Sequence, residues 1–128
     1  YLHSTATGKL FAALDPALEQ RALAGPLPQL TPRTLVTAPA LAREFEQVRA
    51  AGWAASREET VEGISGYSVP VRRSGGSPAA AVHVSVIGGR EAAATERRVL
   101  EAARTCALAI EQALVHAPHH PSLHKEYP

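Results

Sequence analysis

Six histidines, one cysteine and a scatter of serines, threonines and glutamates are the groups in this 128-residue chain that could do chemistry. Near the start, Thr5-Ala6-Thr7-Gly8-Lys9 would bring free backbone N–H groups and the positive end of a helix dipole together, a geometry that holds carboxylates or phosphates. It is not a phosphate loop, because the required spacing is absent and Leu10 stands where Ser or Thr would ligand magnesium. An ordinary capped helix is the simpler account of it. His83 and Ser85, two residues apart, would share one face of a strand; a lone histidine there is more often structural or solvated than ligand-binding. Glu58, Glu59 and Glu62 offer carboxylates for acid–base work, but they crowd one loop beside Arg57, so a solvated or hinge role is expected. Gly63-Ile64-Ser65-Gly66-Tyr67 lacks the glycine spacing of a nucleophile elbow. His116, His119, His120 and His124 hold four of the six histidines without an i, i+4 pair on a credible helix, so no metal site is expected, and no cofactor either.

The elements that must position these groups follow from periodicity and punctuation. Ser4 or Thr5 caps a helix over Ala6–Leu14 with Leu10, Phe11 and Leu14 on its apolar stripe. Asp15-Pro16 restarts a short helix that Gly25-Pro26 ends. Pro26, Pro28 and Pro32 make a connector in which Thr34–Val36 is the one expected strand. Ala38-Pro39 opens a third helix with Leu41, Phe45 and Val48 at i, i+4, i+7, closed by Gly52. A short strand over Trp53–Ser56 and an acidic loop over Arg57–Gly63 come next.

A hairpin then turns at Ser74-Gly75-Gly76-Ser77-Pro78. In it Tyr67, Val69 and Val71, with Val82, Val84 and Val86, form an apolar face, while Gly66, Ser68, His83 and Ser85 form a face of small and polar groups that could floor a pocket or simply meet water. Gly88-Gly89 breaks the chain before a last helix near Thr95, with Val99, Leu100, Ala103, Cys106, Ala107, Ile110 and Leu114 on the stripe expected to pack on Val82, Val84 and Val86. Residues 116–128 read as a loose Pro- and His-rich tail.

Length sets one domain, 1–115, with this tail. A net charge of +1 calls for neither nucleic acid nor an anionic membrane surface. The single Cys106 fits a reducing cytoplasm, and no apolar run reaches the roughly 18 residues of a spanning helix. The chain contains no methionine, so Tyr1 is expected to lie inside a longer protein.

Two blocks of residues carry a resemblance. His3, Ala6, Gly8 and Lys9 match a His-x-x-Ala-x-Gly-Lys helix start; Gly52, Ser56, Glu59 and Gly66, followed by Ser68 and Val71, match a second, spaced motif. Together they resemble the C-terminal effector-binding domain of the IclR family of bacterial transcriptional regulators, over about Leu2 to Leu114. Departures from the family pattern are Gly66 in place of Cys, Ser or Ala, Tyr67 in place of an aliphatic residue, and Arg72-Arg73.

The resemblance implies an α/β fold (α+β) of the GAF-like kind, a mainly antiparallel sheet flanked by helices, whose first strands precede Tyr1. It implies ligand sensing rather than catalysis, with a small organic acid held by Ala6, Thr7, Ser56, Gly66, His83 and Ser85. Ser56 replaces an acid common in the family and His83 a more usual serine, which favours an anionic ligand; Gly66 is expected to leave extra room. Promoter DNA would be read by a winged-helix domain outside this sequence, and the protein would form homodimers or homotetramers. Two alternatives stay open: a small enzyme with His83 as general base, and a pure dimerisation module.

Overall fold

The computed structural model describes residues 1–73, 76, 78–88 and 93–116. In chain order the elements are α1 (Ala6–Leu14), α2 (Pro16–Ala24), α3 (Ala38–Ala51), β1 (Ala54–Arg57), β2 (Ile64–Arg72), β3 (Pro78–Ile87) and α4 (Ala93–His116). The strands form one antiparallel sheet in the order β1-β2-β3. Helices α1 to α3 cover one face and α4 the other, so the expected α/β arrangement is present.

Local chemistry explains where the helices begin and end. Thr5 is the N-cap of α1, its hydroxyl accepting the Gly8 amide at 3.0 Å and donating to the Tyr1 carbonyl at 2.8 Å. Asp15 caps α2 by accepting the amides of Ala17 and Leu18, and Pro16 opens that helix where a missing N–H costs nothing. Gly52, at φ 76°, ends α3 in the left-handed conformation that glycine adopts without strain.

Two hydrophobic cores sandwich the sheet. Leu10, Leu41, Phe45 and Val48 pack with Ala54 between α1, α3 and β1. On the opposite face Tyr67, Val69 and Val71 meet Leu100, Ala103 and Ala107 of α4. The alternation expected for the hairpin holds, with Tyr67 opposite Val84, Val69 opposite Val82, Ser68 opposite His83 and Gly66 opposite Ser85. The central strand β2 is buried along most of its length, whereas Val82, Val84 and Val86 of the outer strand β3 are only partly buried beside α4.

Four expectations need correction. Thr34–Val36 forms no strand: Thr34 lies in a turn, its amide bonded to the Thr31 carbonyl. Its hydroxyl instead donates to the Glu59 carbonyl at 2.7 Å, and that of Thr31 to the Glu58 carbonyl at 2.7 Å, so the connector clamps the acidic loop. That loop is not simply solvated, because Glu59 is buried. The first strand runs Ala54–Arg57, one residue later than expected. On α4, Cys106, Ile110 and Leu114 are exposed, because only the stretch from Leu100 to Ala107 lies over the buried part of β2. That helix runs through His116; the rest of the expected tail, residues 117–128, lies outside the described residues, as do Ser74, Gly75, Ser77 and Gly89 of the expected turns. No helix among the described residues is long and apolar enough to cross a membrane.

Candidate functional site

The polar face of the sheet meets the start of α1, and a cavity of about 190 Å³ opens between them. Its lining is Thr5 and Ala6 from the helix start, Ser56 from β1, Thr60 and Val61 from the loop, Ile64 and Gly66 from β2, and His83 and Ser85 from β3. Sheet register explains the grouping: Ser56 pairs with Gly66 and Gly66 with Ser85, so three neighbouring strands present a row of hydroxyl, nothing, hydroxyl. Of the six site residues expected from the sequence, five line this cavity; Thr7 does not. The Thr7 hydroxyl instead shares a hydrogen bond with Ser68 Oγ at 2.8 Å and lies 3.4 Å from His83 Nδ1.

His83 is held at both ring nitrogens. Nδ1 is 2.8 Å from Ser68 Oγ, and Nε2 is 3.0 Å from Ser85 Oγ. The ring bends over Gly66, so that a Cβ on residue 66 would lie 2.7 Å from His83 Cε1. The extra room expected from Gly66 is therefore absent, since the imidazole fills it.

Three groups at or beside the site lack partners among the described residues. The backbone N–H groups of Ala6 and Thr7 have no acceptor among the described residues, as the first turn of a helix leaves them. Ser56 is 6% exposed and its hydroxyl makes no hydrogen bond to any described residue. Leaving a buried hydroxyl unsatisfied costs about 1–3 kcal/mol, so a polar group that reaches Ser56 through the cavity gains a hydrogen bond there. The lining carries no carboxylate, and α1 has no acidic residue in its first turn to neutralise the helix dipole.

A buried ion cluster behind the cavity fixes the loop that closes it. Lys9 is wholly buried, and its Nζ donates to Glu44 Oε1 at 2.8 Å and to both oxygens of Glu59 at 2.9 Å. Glu59 also accepts the Arg57 amide at 3.1 Å, while Thr60 donates to the Ser4 carbonyl at 2.9 Å. His3 anchors the turn that leads into α1, its Nε2 3.0 Å from the Pro28 carbonyl. Sequence reasoning missed this cluster and missed Thr5, Thr60, Val61 and Ile64 as lining residues. A signal was present, since Lys9 and Glu59 belong to the two motif blocks and carry opposite charge. Among the described residues no group of three His, Cys, Asp or Glu could hold a metal ion.

Comparison with known proteins agrees with this architecture. The family described as bacterial transcriptional regulator IclR, C-terminal, matches residues 1–112. A glycerol operon regulatory protein of Streptomyces griseus is 37% identical over 117 residues, which cover 88% of this chain and 45% of that protein. The crystal structure of the Thermotoga maritima IclR matches with a TM-score of 0.78 and 30% identity, over 88% of this chain and 47% of that one. An IclR homologue of Microbacterium hydrocarbonoxydans, crystallised with 4-hydroxybenzoate, matches with a TM-score of 0.79 and 27% identity, over 91% of this chain and 47% of that one. The chain thus spans about half the length of these relatives. It belongs to the IclR family of bacterial transcriptional regulators, matching the C-terminal, effector-binding part of that family.

Proposed function

We propose that the cavity between α1 and the polar sheet face is the effector pocket of a transcriptional regulator, and that its ligand is a small organic acid. The observation that carries this reading is the buried, unpartnered hydroxyl of Ser56, which shares the cavity with Ala6, whose amide also lacks an acceptor. A carboxylate at the start of α1 would accept those N–H groups with the help of the helix dipole. Ser56, His83 and Ser85 would hold the ligand's other polar groups. The relative crystallised with 4-hydroxybenzoate binds an acid, which supports the class; the Streptomyces relative is named for a glycerol operon.

Binding would shift the arrangement of subunits and so of DNA-reading domains outside this sequence, in a protein of the cytoplasm that works as a dimer or tetramer. An enzyme using the same pocket has less support. Among the described residues the ring nitrogens of His83 meet the hydroxyls of Ser68, Thr7 and Ser85, with no carboxylate to orient the ring as a general base and no activated nucleophile beside it.

Calorimetric titration of a panel of small organic acids against the wild type and Ser56→Ala tests the pocket. The variant loses about 1–3 kcal/mol of binding to whichever acid the wild type takes. Its free form is as stable as the wild type or slightly more so, because the deleted hydroxyl had no partner. Unchanged affinity in Ser56→Ala, or a clear fall in stability without ligand, overturns the assignment.

A further inference from the structure

We infer that Ser68, which does not line the cavity, is the positioning residue of His83: its buried hydroxyl fixes the imidazole in the tautomer that turns an N–H toward the pocket. That role rests on the pocket reading above for what His83 donates to. It goes beyond that reading by giving work to two hydroxyls behind the cavity wall and a direction to the bonds that end at it.

Four side chains from three elements form one chain of hydrogen bonds. The Thr7 hydroxyl on α1 is 2.8 Å from Ser68 Oγ on β2, Ser68 Oγ is 2.8 Å from Nδ1 of His83 on β3, and Nε2 of the same ring is 3.0 Å from Ser85 Oγ. Sheet register sets Ser68 directly opposite His83. Of the four, only His83 and Ser85 line the cavity. Ser68 is 0% exposed, so water does not stand in for either of its partners.

Proton counting gives the chain a direction. Each hydroxyl has one hydrogen to donate, and a neutral imidazole donates from one nitrogen and accepts at the other. Among the described residues the Thr7 hydroxyl meets only Ser68 Oγ and, at 3.4 Å, His83 Nδ1. With Thr7 donating to Ser68 and Ser68 donating to Nδ1, the ring hydrogen sits on Nε2 and goes to Ser85. Every hydrogen behind the wall then has an acceptor, and the hydrogen of Ser85 is left for the cavity. In the reverse order, Nδ1 donates to Ser68 and Ser68 to Thr7, and the Thr7 hydrogen has no acceptor among the described residues. Bonds aligned in one direction polarise one another, which strengthens the donors at the cavity end. His83 and Ser85 thus offer N–H and O–H groups to an acceptor such as a carboxylate oxygen, and the ring does so without carrying charge.

Nuclear magnetic resonance of the ring nitrogens tests this without any ligand. Spectra are taken at about pH 8.5, where an ordinary imidazole is neutral, and the His83 signals are those missing from His83→Gln. The wild type shows a protonated Nε2 and a bare Nδ1. Thr7→Val keeps that pattern, since the buried Ser68 hydrogen still has Nδ1 to go to. Thr7 Oγ1 could replace Ser68 at Nδ1 from 3.4 Å away, so Ser68→Ala is made in the Thr7→Val background. In that double variant the two nitrogen shifts move toward each other as both tautomers populate, while circular dichroism stays that of the folded protein, because both hydroxyls are removed together. Titrated with 4-hydroxybenzoate, the double variant binds roughly threefold to tenfold more weakly than Thr7→Val, as only the competent arrangement of the ring binds at full strength. A wild type protonated at Nδ1, or a double variant with the wild-type pattern, overturns the inference. Equal affinities of the two variants for 4-hydroxybenzoate, with the tautomers changed, also overturn it, because Ser68 would then do nothing for the pocket. If the nitrogen shifts behave as stated and no acid binds the wild type, the positioning of His83 stands and the pocket reading falls.

Discussion

Glu59→Ala should be among the most damaging single substitutions outside the hydrophobic cores. The carboxylate holds the ammonium of a Lys9 that is 0% exposed, with two contacts at 2.9 Å, and also accepts the Arg57 amide at 3.1 Å. Removing one partner of a buried ion pair costs about 3–5 kcal/mol, because the remaining charge is left in a medium that does not solvate it. Lys9 would keep Glu44 at 2.8 Å, so the lower end applies, about 3 kcal/mol. Glu44→Ala removes a single contact from a side chain that is 21% exposed and leaves both oxygens of Glu59 in place. It should cost about 1.5 kcal/mol. For a domain of this size the two losses correspond to roughly 10 °C and 5 °C in melting temperature. Urea unfolding followed by the fluorescence of Trp53, the single tryptophan, measures both, since that indole lies 6.3 Å from the Tyr67 ring beside the α4 core. The ordering survives about 1 M salt, which screens exposed charges far more than buried ones. Equal losses for the two variants, or a Glu59→Ala loss that vanishes in high salt, would refute the account of Lys9 as a buried cation held by this pair.

Other substitutions separate steric from conformational causes. Gly8→Ala places a methyl against the Tyr1 carbonyl oxygen and 2.9 Å from Leu2 Cα, all backbone that cannot step aside, and should cost about 1–3 kcal/mol by chemical denaturation. Gly52→Ala meets nothing within 4 Å but keeps φ at 76°, so it should lose only about 1 kcal/mol, from strain alone; a larger loss than in Gly8→Ala would contradict both readings. Thr5→Ala deletes the α1 cap and should cost about 1 kcal/mol. Because that cap orders the turn presenting Ala6, acid binding should weaken in the same variant, and a variant that binds normally would show that the helix start plays no part in the pocket.

Much of the framework was legible in the sequence because it is set by neighbours in the chain. Thr5, Asp15-Pro16 and Gly52 mark helix ends through bonds or dihedrals made within a few residues. The two-residue period of β2 and β3 decided which side chains share a face, and that is why Gly66, His83 and Ser85 could be grouped before their cavity was seen, whereas Ser56 on β1 joined them only through the family resemblance.

Periodicity cannot say what lies opposite a face, how deep it is buried, or where a side chain leans. Lys9 and Glu59 are 50 residues apart, and each alone has the character of a solvated charge; only the docking of α1 against the loop after β1 removes both from water and makes them partners. Thr34 has the β-branched character of a strand residue, yet with no strand beside it its hydroxyl serves to hold Glu59. The stripe of α4 runs on to Leu114 in the sequence, but it is buried only where β2 lies beneath it. Gly66 suggested open space, and the tertiary structure filled that space with His83, because two hydroxyls on neighbouring strands fix where the ring lies. Local bonding thus set the elements and their faces, while the volume and polarity of the pocket were decided by contacts between residues far apart in the chain, which no local pattern encodes.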